Sequence, residues 1–315
     1  MPNYLKITAI ADSSVSFSFD ESSPCNLEVS TDGTTFAAYT DTISLTAGNS
    51  LYFRGNNPSG LNSVSKCNKF DITGDVSVSG DITTLIDYNG SVDEIPDTGT
   101  SENRCFESLF NSCNISDASG LLLPSTKLKS YCYFNLFYYC TKLVNAPETL
   151  PATILMPSCY SFMFYRCTNL LKAPTLPAKE LVDGCYYNMF ERCSKLNYIE
   201  CLAETGMGDN TDSWVNKVQT TSGTFVKAKG AEWETGTSGI PNNWTVVNKE
   251  TPSIEDKSNI YNVSKMQLKK LGDMNEYNTT YEIKKAQVTA LGGDLSKVND
   301  IYSAEIEILN KLNTK

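Results

Sequence analysis

The chain has 315 residues, of which 40% are hydrophobic and only 20% charged, with a net charge of −10 and no histidine. This length favours two or three domains. The lack of histidine excludes Ser-His-Asp and Cys-His nucleophiles and His-ligated zinc sites, while catalysis by carboxylates alone stays open. An acidic body disfavours nucleic-acid backbones, which need clustered Lys and Arg. We therefore expect a protein that is not an enzyme, with no catalytic residue, no cofactor, no metal and no nucleic-acid partner.

The first residues, MPNYLKITAIADSSVSFSF, contain no basic segment followed by a long apolar run. They do not resemble a secretion signal, and no later stretch is apolar enough to span a membrane. We expect a protein made in the cytoplasm with no membrane partner. Removal of a signal during cloning is the alternative.

Residues 1–95 show the period-two alternation of half-buried strands, as in Val15, Phe17 and Phe19. Asp32-Gly33 lies between two such runs and predicts a hairpin. The pattern predicts an antiparallel β-sandwich, followed by a strand ladder punctuated by Gly74-Asp75 and Gly80-Asp81. We interpret these Gly-Asp pairs as turns and not as calcium ligands, because no EF-hand spacing is present.

A nine-residue motif recurs in the centre of the chain, as CFESLFNSC, CYFNLFYYC, CYSFMFYRC and CYYNMFERC, after 27, 27 and 26 residues. A period in this range is typical of a solenoid. On a helix at about 100° per residue, offsets 0, +1, +4, +5 and +8 fall within one apolar arc of about 140°. The motif therefore predicts short stacked helices whose repeat core is formed by the following residues: Cys105, Phe110, Cys113, Cys132, Phe137, Cys140, Cys159, Phe164, Cys167, Cys185, Phe190 and Cys193.

The repeat cysteines could bind zinc, form disulfides or remain buried free thiols. Zinc sites usually place two to four residues between paired cysteines, whereas these pairs are eight residues apart. Side chains on successive rungs are also spaced more widely than a disulfide permits. We therefore expect free thiols that fill the core.

Tyr138 and Tyr165 occupy offset +6, which points away from the apolar arc. They are the candidate binding residues, as a strip for stacking sugars or contacting a partner. Ordinary exposed tyrosines are the alternative interpretation.

The repeat stops after Cys201, and an aromatic, Gly-rich segment follows up to residue 248. A stack of repeats needs a terminal cap, and this segment is the candidate. Residues 249–315 predict a linker and three short helices, each ending at Gly or Asn. Such helices are too short to persist alone and must dock on something. The predicted docking residues recur at matched positions: Tyr261, Leu268, Leu271, Tyr281, Val288, Leu291, Tyr302, Leu309 and Leu312.

The phrase CYSFMFYRCTNLLKAPTLPA closely resembles BspA-like leucine-rich repeats, and the resemblance extends over about residues 4–248. It implies a surface-exposed binding or adhesion module with no enzymatic site. Such arrays occur in surface proteins of gut bacteria and in their tailed phages. The first repeat differs from the sequence motif that is typical of the family, and so do residues 249–315.

These observations together predict a multidomain α+β protein. It has an antiparallel β-sandwich and strand ladder in 1–95, a leucine-rich-repeat solenoid with a terminal cap in 96–248, and an α-helical docking tail in 249–315. The expected function is a tailed-phage virion appendage, such as a head fibre or decoration protein, that presents its repeats to a surface glycan or protein receptor. We expect a homo-oligomer whose tail binds a capsid or other virion protein. A bacterial cell-surface adhesin and an accessory chain of a carbohydrate-active enzyme are the alternatives.

Overall fold

Strands and tight turns build the part of the chain that the computed structural model describes, residues 3–19, 25–64, 67–89, 92–99 and 101–249. Residues 1–249 form one unit of the chain. Within the described ranges no helix has the length and apolar character to cross a bilayer. The strands are β1 Leu5–Ser18, β2 Glu28–Ser30, β3 Ala37–Ala38, β4 Ile43–Leu45, β5 Ser50–Arg54, β6 Lys69–Asp81, β7 Ile115–Leu122, β8 Lys172–Leu176, β9 Tyr198–Cys201, β10 Thr224–Ala228 and β11 Thr245–Lys249, with single 3-10 turns at Ile82–Leu85 and Asp209–Thr211.

The seven N-terminal strands form one mixed sheet in the order β3-β2-β5-β1-β6-β7, with β4 pairing to β1 as well. Strand β1 is long enough to pair with β5 along its first half and with β4 along its second. Alternate residues of β1 and β6, such as Ile7, Val15 and Val76, are fully buried. This is the period-two pattern of a sheet with one covered face.

The β1–β6 register shifts twice between Ala9 and Ser14, as expected at β-bulges. Gly74 lies at this point of β6 with a φ of 87°, and a Cβ there would lie 2.3 Å from Ser13 Oγ. Gly80 has a φ of 81°, and its Cβ would lie 2.0 Å from the carbonyl oxygen of Tyr4. Both glycines therefore permit close backbone approach inside β6, and our interpretation of them as turn punctuation was wrong.

Strand β7 pairs in parallel with β6 and connects the sheet to the repeats. Further parallel bridges join successive repeats, at Asp117 with Asn145 and at Asn145 with Lys172. This series continues into the second sheet, which is wholly parallel and runs β8-β9-β10-β11.

The nine-residue motifs are successions of tight turns, not helices. Every second N–H bonds to the carbonyl three residues back, as from Leu109 to Phe106 at 3.3 Å. The alternate N–H groups bond to the next repeat, as from Phe106 to Cys132 at 2.8 Å. A left-handed residue recurs every fourth position, with φ between 52° and 65°: Arg104, Ser108, Ser112, Tyr131, Asn135, Tyr139, Ser158, Phe162, Arg166, Gly184, Asn188 and Arg192.

Two columns of stacked aromatic rings run through the repeats. One comprises Phe70, Phe110, Phe137, Phe164 and Phe190, with successive centroids 5.5–5.6 Å apart. The other comprises Phe106, Tyr133, Tyr160 and Tyr186, with centroids 5.5–6.2 Å apart. Such pairs contribute about 0.5–1.5 kcal/mol each beyond burial. Because Phe70 belongs to β6, the N-terminal sheet closes one end of the stack.

Trp214 closes the other end of both columns. Its ring lies 6.2 Å from Tyr186 and 5.9 Å from Phe190, and it is fully buried. Its indole N–H donates to the carbonyl of Gly239 at 2.8 Å. Phe190 N–H donates to the Trp214 carbonyl, so residues around Trp214 form a further turn segment that lacks the cysteine motif.

The predicted α+β fold is wrong for the part of the chain that the structure describes. No α-helix is present there, and strands dominate. The repeats are turn segments rather than helices of a leucine-rich-repeat solenoid. The physical reason is that the buried offsets 0, +4 and +8 fit a four-residue turn as well as a 3.6-residue helix. Over nine residues the two periods diverge by less than one residue.

The predicted β-sandwich is also wrong, because all seven strands belong to one hydrogen-bonded sheet. Alternation in sequence identifies the buried face of each strand, but not how many sheets share it. The predicted helical tail, with all its docking residues, lies outside the described residues.

Candidate functional site

The outer face of the turn segments carries a cluster of partly exposed aromatic side chains. In each segment offsets 0, +1, +4, +5 and +8 point into the stack, so offsets +2, +3, +6 and +7 hold the outward residues. From the second to the fourth segment several of these positions, and the position just before the second motif, hold large rings. We call this surface the aromatic strip, and it comprises Tyr131, Phe134, Tyr138, Tyr139, Phe162, Tyr165 and Tyr187.

Tyr138 and Tyr165 lie side by side in the strip. Their rings are nearly parallel, at 8°, with centroids 4.9 Å apart. Phe162 lies beside both, at 6.4 Å from Tyr138 and 5.7 Å from Tyr165. Partial burial raises the pKa of the Tyr138 hydroxyl, which therefore stays protonated and able to donate at neutral pH.

Phe162 connects the rings of neighbouring segments. Its centroid is 5.5 Å from that of Phe134 and 5.3 Å from that of Tyr187. Phe162 has a φ of 57°, so the left-handed backbone directs a bulky ring outward from a position that usually favours Gly or Asn. The strip therefore extends across three segments.

Two arginines pack against the rings of the strip. The Arg104 guanidinium lies 4.9 Å from the ring centre of Tyr131, and it pairs with Glu102 and Glu107. The Arg166 guanidinium lies 4.8 Å from Tyr139 and 5.9 Å from Tyr165. These distances are within the range of a cation–π interaction.

Four polar atoms at outward offsets of the turn segments are buried without a hydrogen-bond partner among the described residues. They are Arg166 Nε, Arg192 Nε, Asn135 Oδ1 and Asn188 Oδ1. An unsatisfied buried polar group costs about 1–3 kcal/mol. Such groups are usually satisfied by water or a ligand, and here they lie in the segments that carry the strip.

All twelve residues of the predicted repeat core are buried, with exposures of 0–2%. The second cysteine of each motif lies near a carbonyl of the preceding layer, and the Sγ–O distance is 3.1 Å for Cys113 and Phe70, 3.0 Å for Cys140 and Phe110, 3.2 Å for Cys167 and Phe137, and 3.0 Å for Cys193 and Phe164. These thiols thus help to join the layers.

Burial also controls the chemistry of the thiols. It raises the pKa of Cys113 and of Cys185 to about 12, and that of Cys140 well above its ordinary value. Because the thiolate is the nucleophile and the metal ligand, these groups are inert at neutral pH. No group of three or more Cys, Asp or Glu in the described ranges could hold a metal ion.

Two open clefts lie elsewhere on the described surface. One, of about 740 Å³, is bordered by Asn145, Glu148 and Lys172 near β8. The other, of about 610 Å³, lies beside Trp233 in the C-terminal segment. Neither is lined by a residue of the aromatic strip, nor by any of the four polar atoms without partners.

Sequence analysis singled out Tyr138 and Tyr165, and the structure brings their rings together. It missed Tyr139, Phe162 and Arg166, although offsets +3 and +7 fall at about 300° and 340° on a helix and so also lie outside the apolar arc. The available signal was the concentration of large residues at the outward offsets of the second and third motifs. In the first motif the same offsets hold Glu107, Ser108, Asn111 and Ser112.

Comparison with protein-family models, curated proteins and solved structures finds no significant match to this chain. Its function is therefore argued from the geometry of the aromatic strip.

Proposed function

We propose that this protein is a non-enzymatic binding protein whose aromatic strip stacks against the sugar rings of a surface glycan. The observation that carries the proposal is the parallel pair of Tyr138 and Tyr165, with Phe162 beside it. An aromatic face is electronegative and attracts weakly positive C–H edges, which sugar rings present in number. Tyrosine rings also add contact area at a small cost in side-chain entropy.

The polar atoms around the rings support a polar ligand over a purely apolar one. Asn135 and Asn188 offer carbonyl oxygens, and Arg166 offers an N–H, all lacking partners among the described residues. A few such groups beside an apolar surface fix the orientation of a ligand. These atoms are buried, so a ligand reaches them only after the side chains turn outward. Sugar hydroxyls, which both donate and accept hydrogen bonds, then match all three.

Within the same proposal, we place the protein on the virion of a tailed phage as a head fibre or decoration protein. The aromatic strip is then its binding surface. The support is the resemblance of residues 4–248 to BspA-like repeats. Residues 249–315 would then bind a capsid or other virion protein, and the chain would form a homo-oligomer. A bacterial cell-surface adhesin remains the alternative. Mass spectrometry of purified virions and of cell-envelope fractions separates the two.

Glycan binding can be tested on an array of immobilised oligosaccharides. We expect the intact chain to bind at least one glycan, and the double variant Tyr138→Ala, Tyr165→Ala to bind it about tenfold more weakly or worse, because two stacking rings are lost. Tyr198→Ala is the matched control, since Tyr198 lies in β9 and packs against Lys172. Absence of any bound glycan, or an equal loss in the control, would overturn the proposal.

A further inference from the structure

The arginines of this acidic protein are few, and most are neutralised. The chain contains four, at positions 54, 104, 166 and 192, within a net charge of −10. Arg54 pairs with Glu28 at 2.6 Å, and Arg192 lies 3.4 Å from Glu191. Arg104 pairs with two glutamates, as described above. Three of the four therefore have their charge balanced by a nearby carboxylate.

Arg166 differs from these, because it forms no ion pair with any residue in the described part of the chain. Its positive charge lies next to the rings of Tyr139 and Tyr165 instead. An uncompensated cation on an acidic surface attracts anions locally, although the whole protein repels them.

The stacking of Arg166 on the rings also orients its guanidinium for hydrogen bonding to a planar acceptor. A guanidinium that lies over a ring uses its face for that contact and leaves its edge free for hydrogen bonding. Arg166 Nε, like Arg192 Nε, is buried without a hydrogen-bond partner among the described residues, so Arg166 is set apart by its lack of an ion pair. A carboxylate matches this edge because its two oxygens accept two parallel N–H bonds.

We propose that Arg166 binds the carboxylate of an acidic sugar whose ring stacks on Tyr138 and Tyr165. The inference rests on the proposed glycan binding and adds the class of sugar. Tyr165 contacts both the guanidinium and the Tyr138 ring, at 5.9 Å and 4.9 Å between centres. The charged group and the stacking surface are therefore close enough to contact one monosaccharide unit. Neutral sugars would keep the stacking contact but lose the ion pair.

The test measures affinities of the full chain by calorimetry for two matched pairs of ligands. One pair is trigalacturonic acid and its methyl ester, and the other is sialyllactose and lactose. We expect an acidic member to bind about tenfold more tightly than its neutral counterpart, as for a charge-assisted hydrogen bond. Added salt should reduce this difference, since the interaction lies near the surface.

Arg166→Gln should abolish the preference for the acidic member, because it weakens binding of that member more than binding of the neutral one. Arg166→Lys keeps the charge without the planar edge, so it should restore only part of the preference. Arg192→Gln, one segment along and paired with Glu191, is the control and should change neither affinity. Equal thermal melting of the variants shows that each is folded.

The outcomes separate the two proposals. If neutral glycans bind through Tyr138 and Tyr165 but no acidic member is preferred, or if Arg166→Gln leaves the preference intact, the assignment of Arg166 is wrong and the glycan site stands. If Arg166→Gln weakens both members equally, Arg166 has only a structural role. If no glycan binds at all, the proposed function fails, and this inference fails with it.

Discussion

At the scale of single residues, the repeats depend on non-glycine residues in left-handed backbone. This conformation costs an ordinary residue roughly 1–2 kcal/mol, yet it recurs every fourth position. The hydrogen bonds to the next segment offset the cost. At Ser112, for example, the residue has a φ of 63° and its N–H donates to the carbonyl of Tyr138 at 2.8 Å.

Ser112 offers a direct test because its side chain is exposed, so a substitution there changes backbone preference without disturbing the core. We expect Ser112→Val to lower the free energy of unfolding by about 1–2 kcal/mol, since a β-branched residue tolerates this φ poorly. Ser112→Gly should leave stability equal or higher, because glycine adopts the conformation without strain. Urea unfolding of both variants measures the difference. Equal stabilities would show that the left-handed backbone at this position is not a determinant of the fold.

At the scale of elements, sequence identified which residues of each motif are buried but not the backbone that buries them. Cys132, Phe137 and Cys140 lie inside the stack, although they sit on turns rather than on a helix. The offsets alone could not separate the two, because a helix and a four-residue turn place the same side chains on one face over this length. The bonds that decide between them join residues about 26 positions apart, and no local pattern reports such partners.

The sequence analysis predicted only part of the aromatic strip on the outer surface. The offset of Tyr138 and Tyr165 predicts that both side chains point outward. Their stacking on each other depends on the distance between neighbouring turn segments. Phe162 and Arg166 occupy left-handed positions, which no rule of helix periodicity identifies. The segment around Trp214 was recognised only as a cap, because its continuation of the stack involves no cysteine motif.

The inter-segment bonding makes a prediction about whole repeats. Each segment bonds and stacks only on its neighbours, so removing one complete repeat should let the flanking segments join. Deletion of residues 132–158, which places Cys159 where Cys132 stood, should give a shorter protein that still unfolds cooperatively. Deletion of residues 132–156 leaves two extra residues, half of a four-residue turn, so it breaks the register and should leave the chain unfolded or aggregated. Circular dichroism and thermal melting compare the two. Similar behaviour of both would show that register between segments does not control folding.

At the scale of the whole molecule, the hydrophobic core is closed at both ends. In the part of the chain that the structure describes, it extends from Leu5 in β1 to Trp244. Phe70 closes one end of the stacked rings and Trp214 the other. Since exposed aromatic ends would promote association with other molecules, this closure protects both ends of the stack.

The closed core predicts that residues 1–249 fold without residues 250–315. The described core, within 5–244, belongs to the unit 1–249, so a chain ending at Lys249 should melt at the same temperature as the full chain. It should also bind glycans with unchanged affinity, because the aromatic strip lies within 131–187. If residues 249–315 carry the attachment to a capsid or other virion protein, the same truncation should abolish incorporation into particles, as measured by mass spectrometry of purified virions. A truncated protein that melts lower would assign residues 250–315 to the main fold, and one that is still incorporated would place the attachment elsewhere in the chain.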